Sequence, residues 1–288
     1  MAEEAQTRQP LLSEAAGEAA ATLLSAVRGR LPPSEARRLL QHVLGCTHVD
    51  LAAHPQRPVT SAHMRRFAEL ICRRAAGEPI AYLVGSREFY GRDFRVTPDV
   101  LIPRPETELL VDLALDLLRS RAAPRVLDLA TGSGAIAISL AKELPQAIVM
   151  ASDVSETALA VARANAETLG AEVRFVRSDW FAALGGERFE LIVVNPPYVA
   201  AGDPHLAQGD VRFEPQTALV SGTDGLDAVR TIIAHAPAHL MPGGWLLFEH
   251  GYDQADACRA LLLDRGFIDV SGWQDLAGIA RVGGGRRP

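Results

Sequence analysis

The residues best suited to chemistry are Asn195-Pro196-Pro197-Tyr198, at the end of the apolar run Leu191-Ile192-Val193-Val194. Two consecutive prolines fix φ and remove two backbone donors, while their carbonyls stay available as acceptors. Asn195 adds a side-chain acceptor oxygen, and the ring of Tyr198 offers a flat surface. This set suits a planar NH2 group. Such a nitrogen is a poor nucleophile, because its lone pair is delocalised. Two acceptors on its two hydrogens would hold it with the lone pair turned towards a methyl sulfonium, and Tyr198 would orient its plane. Catalysis would then be mainly positioning, which can be worth ~7–11 kcal/mol. No strong general base is needed, since the nitrogen becomes acidic only after transfer. Asn195, Pro196 and Tyr198 are therefore the candidate catalytic residues, and Asn195, Pro196, Pro197 and Tyr198 the candidate substrate-binding set.

A second constellation lies upstream. Asp128-Leu129-Ala130-Thr131-Gly132-Ser133-Gly134 separates a strand pattern from a helix pattern, and glycines there allow a sharp turn and close approach to a ligand. Alone, such a turn does not distinguish a ligand site from a plain tight turn. Asp153 lies 21 positions after Gly132, a spacing that lets a carboxylate accept hydrogen bonds from ribose hydroxyls. Ser178-Asp179-Trp180 follows the next strand pattern, with an acid for an exocyclic amine and an indole for a ring face. Gly132-Ser133-Gly134 runs on into Ala135-Ile136-Ala137, so the dinucleotide glycine pattern is incomplete and a cofactor without a pyrophosphate is favoured. Ala130, Thr131, Gly132, Ser133, Gly134, Asp153, Asp179, Trp180 and Asn195 form the candidate cofactor set.

The surrounding patterns say what positions these groups. From Arg125 onward strands and helices alternate: strands near 126–129, 147–152, 173–176, 191–194 and 245–249, helices over 135–143 and 156–169. That alternation predicts a mostly parallel sheet covered on both faces. Residues 78–103 alternate with glycine punctuation, including Glu88-Phe89-Tyr90-Gly91, and predict a hairpin joining two domains; a helix is expected near 106–119. Residues 11–76 predict a small helical bundle. Ala36, Leu39, Leu40 and Val43 form one stripe, stopped by Gly45, and Met64, Phe67, Leu70 and Ile71 form another. The expected division is 1–77, a helical substrate-docking domain; 78–104, a hairpin linker; and 105–288, the catalytic domain.

Composition narrows the classes. The 288 residues are 48% hydrophobic and carry a net charge of -6. An acidic chain argues against a nucleic-acid substrate, since phosphate binding rests on a basic footprint. Cys46, Cys72 and Cys258 are odd in number and far apart, which argues against a disulfide framework and fits a reducing compartment. Residues 1–18 hold four glutamates and one arginine, unlike a secretory or transit leader, and no apolar run approaches the ~20 residues needed to span a membrane. A cytoplasmic location and a monomer are expected. His235 and His239 have helical spacing for two ligands, but Pro237 intervenes and no third ligand is evident, so no metal is expected. Arg65-Arg66 and Arg73-Arg74 read as a solvated helix face that could also grip a partner.

Asn195–Tyr198 after a glycine-rich first motif resembles the amino-methyltransferases of adenine, cytosine and glutamine nitrogens. More specifically, the chain is similar to the peptide chain release factor N5-glutamine methyltransferases, the PrmC/HemK family. Glu78-Pro79-Ile80-Ala81-Tyr82, Glu88–Gly91, Leu101–Glu108, Phe213-Glu214-Pro215 and Gly222–Leu226 carry the resemblance along with Asn195–Tyr198. It implies a Rossmann-like class I methyltransferase domain with a seven-stranded sheet, a small N-terminal helical bundle and a connecting β-hairpin. It also implies S-adenosylmethionine as cofactor and, as substrate, the glutamine of the Gly-Gly-Gln loop in class-1 release factors. A ribosomal-protein glutamine, a nucleic-acid base and a non-catalytic cofactor-binding module are the alternatives. One departure stands out: Ala130 replaces the family's usual glycine, which matters only if its φ is positive.

Overall fold

In the computed structural model, residues 18–288 are described and form two compact units, which part between Val84 and Gly85. The leader reading of residues 1–18 and the start of the helical bundle at 11–17 lie outside the described residues, Glu18 excepted.

In the first unit, α1 (Ala20–Ala26), α2 (Pro33–Leu44), α3 (His48–Ala53), α4 (Ser61–Ala75) and α5 (Ile80–Val84) surround one core, and β1 (Glu18–Ala19) pairs with β2 (Pro58–Val59). The expected stripes are buried, with Val43 only half-buried: Leu39, Leu40, Phe67 and Leu70 are fully inside. Pro33 opens α2 and Gly45, left-handed at φ 59, ends it, as the asymmetry of helix ends favours. Arg74 clamps α4 to α2 by donating to both oxygens of Glu35, at 2.8 and 3.0 Å. Residues 80–84, expected to begin a hairpin, are helical instead. Pro79 presets the first turn and its carbonyl accepts the N–H groups of Tyr82 and Leu83; Ala81 and Leu83 are buried.

The second unit opens with the hairpin, β3 (Ser86–Phe89) and β4 (Arg92–Arg95). Tyr90 and Gly91 both have positive φ, as a two-residue turn matching the twist of its strands requires. Helix α6 (Glu108–Leu118) follows a single 3-10 turn at Pro105–Thr107. The chain then alternates through β5 (Arg125–Leu129), α7 (Ala135–Glu143), β6 (Ile148–Asp153), α8 (Glu156–Leu169), β7 (Arg174–Arg177), β8 (Phe189–Val194), α9 (Asp227–His239), β9 (Leu240–Glu249), α10 (Ala255–Asp264), β10 (Ile268–Gln274) and β11 (Ala280–Arg286). The seven strands lie in the order β10-β11-β9-β8-β5-β6-β7, with β11 antiparallel to both neighbours and the rest parallel. Alternate residues feed two cores: Val126, Leu191 and Val193 pack under α6 and α7, while Leu127, Ile192 and Val194 face α9 and α10.

Glycine-rich Gly283-Gly284-Gly285 has low strand propensity, yet it forms the middle of β11. A Cβ on Gly284 would meet Leu247 Cδ2 at 2.6 Å and the Leu246 carbonyl at 2.7 Å, so close approach of β9 demands glycine. After β7 the chain returns to the other side of β5 as β8. The carboxyl ends of β5 and β8 therefore flank the switch point, where open parallel sheets bind ligands.

Candidate active site

The turn after β5 is organised around Asp128. Its Oδ2 accepts from the Thr131 hydroxyl at 2.6 Å and from the Ala137 N–H at 3.1 Å, fastening the turn to the first residues of α7. Burial pushes this carboxyl up to about 7. Gly134 is left-handed at φ 84, and a Cβ there would meet Ile138 Cδ1 at 2.8 Å. Asn165 donates to the Ser133 carbonyl at 2.8 Å. Asp153 closes the other side: its Oδ2 accepts from the Gly132 N–H and its Oδ1 from the Ser155 N–H, both at 2.9 Å.

Together these elements bound a cleft with about 780 Å³ of space free of protein atoms, part of it open to solvent. Ala130, Gly132, Asp153, Asp179, Trp180, Asn195 and Pro197 line it; Thr131, Ser133 and Gly134 do not, and instead shape the turn behind it. Asp99, Asp153 and Asp179 make the lining acidic, and among the described residues no arginine or lysine contributes to it. Ala130 stands at φ 52 and Trp180 at φ 45. Left-handed geometry costs a residue with a Cβ roughly 1–2 kcal/mol, so the alanine at 130 carries strain that a glycine would not.

A second cleft, of about 610 Å³, lies against Arg104, Pro196, Tyr198, His205 and Leu206. It shares Leu101, Asn195 and Ala218 with the first, so Asn195 stands in a wall common to both. Asn195 Nδ2 donates to Thr107 Oγ1 at 3.1 Å, and Thr107 donates to Glu249 Oε2 at 2.6 Å. Tyr198 donates its phenolic proton to Glu249 Oε1 at 3.0 Å. Asn195 Oδ1 is buried and has no hydrogen-bond partner. Burial and the adjacent Glu249 push the Tyr198 phenol up, so it stays protonated; Glu249 is itself raised by burial, against the two hydroxyls that donate to it. Gln254 fixes the strand exit by donating to the Tyr198 carbonyl at 3.0 Å. Arg104 donates to Glu214 Oε1 at 2.5 Å while the Ile102 N–H donates to Oε2 at 3.2 Å, which ties the loop before α6 to the segment after β8.

His235 and His239 do not form a ligand pair. Each Nδ1 meets a backbone carbonyl, of Thr231 and Glu187 respectively, and His239 stacks on Phe181 at 4.8 Å.

Residues 15–85 match the PrmC N-terminal domain family and residues 107–211 the Methyltransferase small domain family. The chain is 56% identical to the release factor glutamine methyltransferase of Bordetella pertussis over 88% of its own length and 95% of the relative's. Against the enzyme of that name from Burkholderia pseudomallei it is 55% identical, covering 88% and 92%. The chain belongs to the release factor glutamine methyltransferase family. At the level of fold it is also similar to a methyltransferase of Pyrococcus furiosus, with 20% identity, a TM-score of 0.53, and coverage of 76% of this chain and 98% of that one. A 16S rRNA N2 G1207 methyltransferase of T. thermophilus gives 21% identity, a TM-score of 0.52, and coverage of 70% and 50%.

Within this family member, sequence reasoning reached Asp128, Thr107 and Glu214 only inside longer motifs, with no role for any of them, and missed Glu249. All four are buried polar residues; Thr107, Glu249 and Glu214 find partners from elsewhere in the chain, whereas Asp128 is satisfied within its own turn by Thr131 and Ala137. The carboxyls of Asp128, Asp153, Glu214 and Glu249 are all raised by burial. The folded state therefore binds more protons than the unfolded state, whose carboxyls ionise near pH ~4. Stability contributed here is present at low pH and is lost as pH climbs through the folded values, which for Asp128 is about 7. Thermal melting should show the wild type losing more stability between roughly pH 5 and pH 7.5 than Asp128→Asn does. Parallel curves would remove Asp128 from the account.

Proposed function

We propose that the chain transfers the methyl group of S-adenosylmethionine to the side-chain amide nitrogen (N5) of the glutamine in the Gly-Gly-Gln loop of class-1 peptide chain release factors. The observation that carries this reading is the unpartnered, buried Oδ1 of Asn195 in the wall between two clefts. A buried acceptor left unpaired costs free energy, which a donor arriving with the substrate would recover.

The first cleft fits the cofactor. Its acidic, cation-free lining suits a positively charged sulfonium and disfavours a phosphate-bearing group. Asp153 is the candidate for the ribose hydroxyls, Asp179 and Trp180 for the adenine, and Ala130 to Gly134 for the turn around them. S-adenosylmethionine supplies the electrophilic methyl group.

The second cleft fits the amide. Asn195 Oδ1 and the Pro196 carbonyl, to which nothing donates among the described residues, accept the two amide hydrogens. Tyr198 supports the plane of the amide, and Pro197 stiffens the loop. Tyr198 is held protonated, Glu249 is sealed behind two hydroxyls, and the imidazole in the lining, His205, has its Nδ1 held by Asp203 Oδ1 at 2.7 Å; the reaction calls on none of them as a base. That suits an amide, whose proton leaves only after transfer.

Substrate docking falls to the helical first unit in this reading, which includes α5, while the hairpin of β3 and β4 belongs to the second unit. Residues 18–84 carry nine arginines against five acidic residues, in a chain that is acidic as a whole. A monomer acting in the cytoplasm fits three free cysteines, and among the described residues no helix is long and apolar enough to cross a membrane.

The test is transfer of labelled methyl from S-adenosylmethionine to purified release factor, beside a factor whose Gly-Gly-Gln glutamine is replaced. Label in the first alone supports both chemistry and target. Label in neither overturns the target and directs the search to ribosomal proteins and nucleic acids.

A further inference from the structure

The carboxamide of Asn195 is useful to an NH2 substrate only one way round. With Oδ1 towards the substrate it accepts; flipped by half a turn, it would present its own NH2 and repel an amide nitrogen. The two orientations have nearly the same shape, so packing cannot choose between them. Hydrogen-bond polarity can.

Thr107 has a single hydroxyl proton. At 2.6 Å that proton is committed to Glu249 Oε2; Glu249, which also accepts from Tyr198 at its other oxygen, offers only acceptors in its ionised form, the form that the two donated bonds favour against burial. The oxygen of Thr107 can therefore only accept from Asn195, so the group facing it at 3.1 Å must be Nδ2. Oδ1 is left over, and it is the atom with no partner. The other oxygen of Glu249 is taken by Tyr198, so neither oxygen is free to swing towards Asn195.

We infer that Thr107 and Glu249 are positioning residues that set the polarity of the Asn195 amide and thereby make the site selective for glutamine over glutamate. The inference rests on the glutamine-methyltransferase reading. Thr107 is 4% and Glu249 1% exposed, and neither lines either cleft; they act through Asn195 and Tyr198. With the polarity set, a substrate NH2 finds an acceptor, whereas a substrate carboxylate would meet Oδ1 lone pair to lone pair. Discrimination then comes from an unpaired polar contact, the kind that separates close analogues most strongly.

Thr107→Val keeps the side-chain shape and removes the hydroxyl; Thr107→Ser keeps the hydroxyl. The wild type and both variants are assayed for labelled methyl transfer to release factor, and for calorimetric binding of S-adenosylmethionine. A third measurement is binding of release factor and of its Gly-Gly-Glu variant in the presence of S-adenosylhomocysteine. Thr107→Val should lower kcat about 10- to 100-fold, with cofactor affinity unchanged to within about threefold. It should also shrink the preference for glutamine over glutamate, and Thr107→Ser should restore both. A valine variant with unchanged kcat, or one that loses kcat but keeps full discrimination, overturns the inference. So does a serine variant as impaired as the valine. Failure of the wild type to label release factor at all would instead strike the functional reading beneath it.

Discussion

Asn195→Ala lowers methyl transfer by about 10²–10³-fold or more, the scale of losing one fixed polar group from a preorganised site, while the fold survives. The two halves of that expectation have separate grounds. Stability changes little because Oδ1 makes no bond to lose, and Thr107 keeps its stronger contact to Glu249. Only the 3.1 Å contact from Nδ2 disappears, at a cost of about 1 kcal/mol. Activity falls because the amide nitrogen would keep one fixed acceptor, the Pro196 carbonyl, and could rotate about it. A nitrogen with a delocalised lone pair gains most from being held, so the loss should appear in kcat more than in KM. Single-turnover transfer of labelled methyl, alongside thermal melting, measures both halves. A variant that folds and transfers at a near-normal rate would show that Asn195 is not the acceptor.

Much of this site was legible in the sequence because it is local. Asn195-Pro196-Pro197-Tyr198 and the Ala130–Gly134 turn are contiguous, and each follows a strand whose apolar run betrays burial on both faces. Helices α7 and α8 span the expected residues for the same reason. What stayed hidden is non-local. Thr107 and Glu249 are 142 positions apart, and Arg104 and Glu214 are 110 apart. Nothing in a single sequence pairs them until the sheet brings the end of β9 beneath the start of α6. Strand β11 stayed unread, because a glycine run has low strand propensity, yet the glycines are required by the closeness of β9. At Ala130 the sequence could pose the question of strain and only the backbone, at φ 52, could answer it. The turn also divides in a way its letters do not announce. Thr131 spends its hydroxyl on Asp128 behind the turn, while Gly132 reaches the cleft and is held there by Asp153.

That last contact makes Asp153 the residue whose loss should weaken cofactor binding most. Its two oxygens each hold a backbone amide, of Gly132 on the turn after β5 and of Ser155 at the start of α8. One carboxylate thus fixes both rims of the first cleft while keeping further lone pairs for a ligand. Burial raises its pKa and the backbone amides offset that rise only in part, so the fold holds this charge at a cost that a cationic cofactor would relieve. In Asp153→Ala the Gly132 and Ser155 amides lose their acceptor, the rims loosen and one negative charge leaves the lining. Hydrogen bonds to a charged group are worth about 1.5–3 kcal/mol each, and ~1.4 kcal/mol is tenfold in affinity. Loss of one or two such contacts predicts S-adenosylmethionine binding weakened by about 10²-fold. Asp153→Asn retains one acceptor but aims an NH2 at a backbone N–H, so it should fall well short of the wild type. Titration calorimetry on both variants, with circular dichroism to confirm the fold, decides the matter. If folded Asp153→Ala bound the cofactor as tightly as the wild type, the ribose would have to sit elsewhere in the cleft, and the order of adenine, ribose and sulfonium along it would need to be redrawn from Asp99 and Asp179.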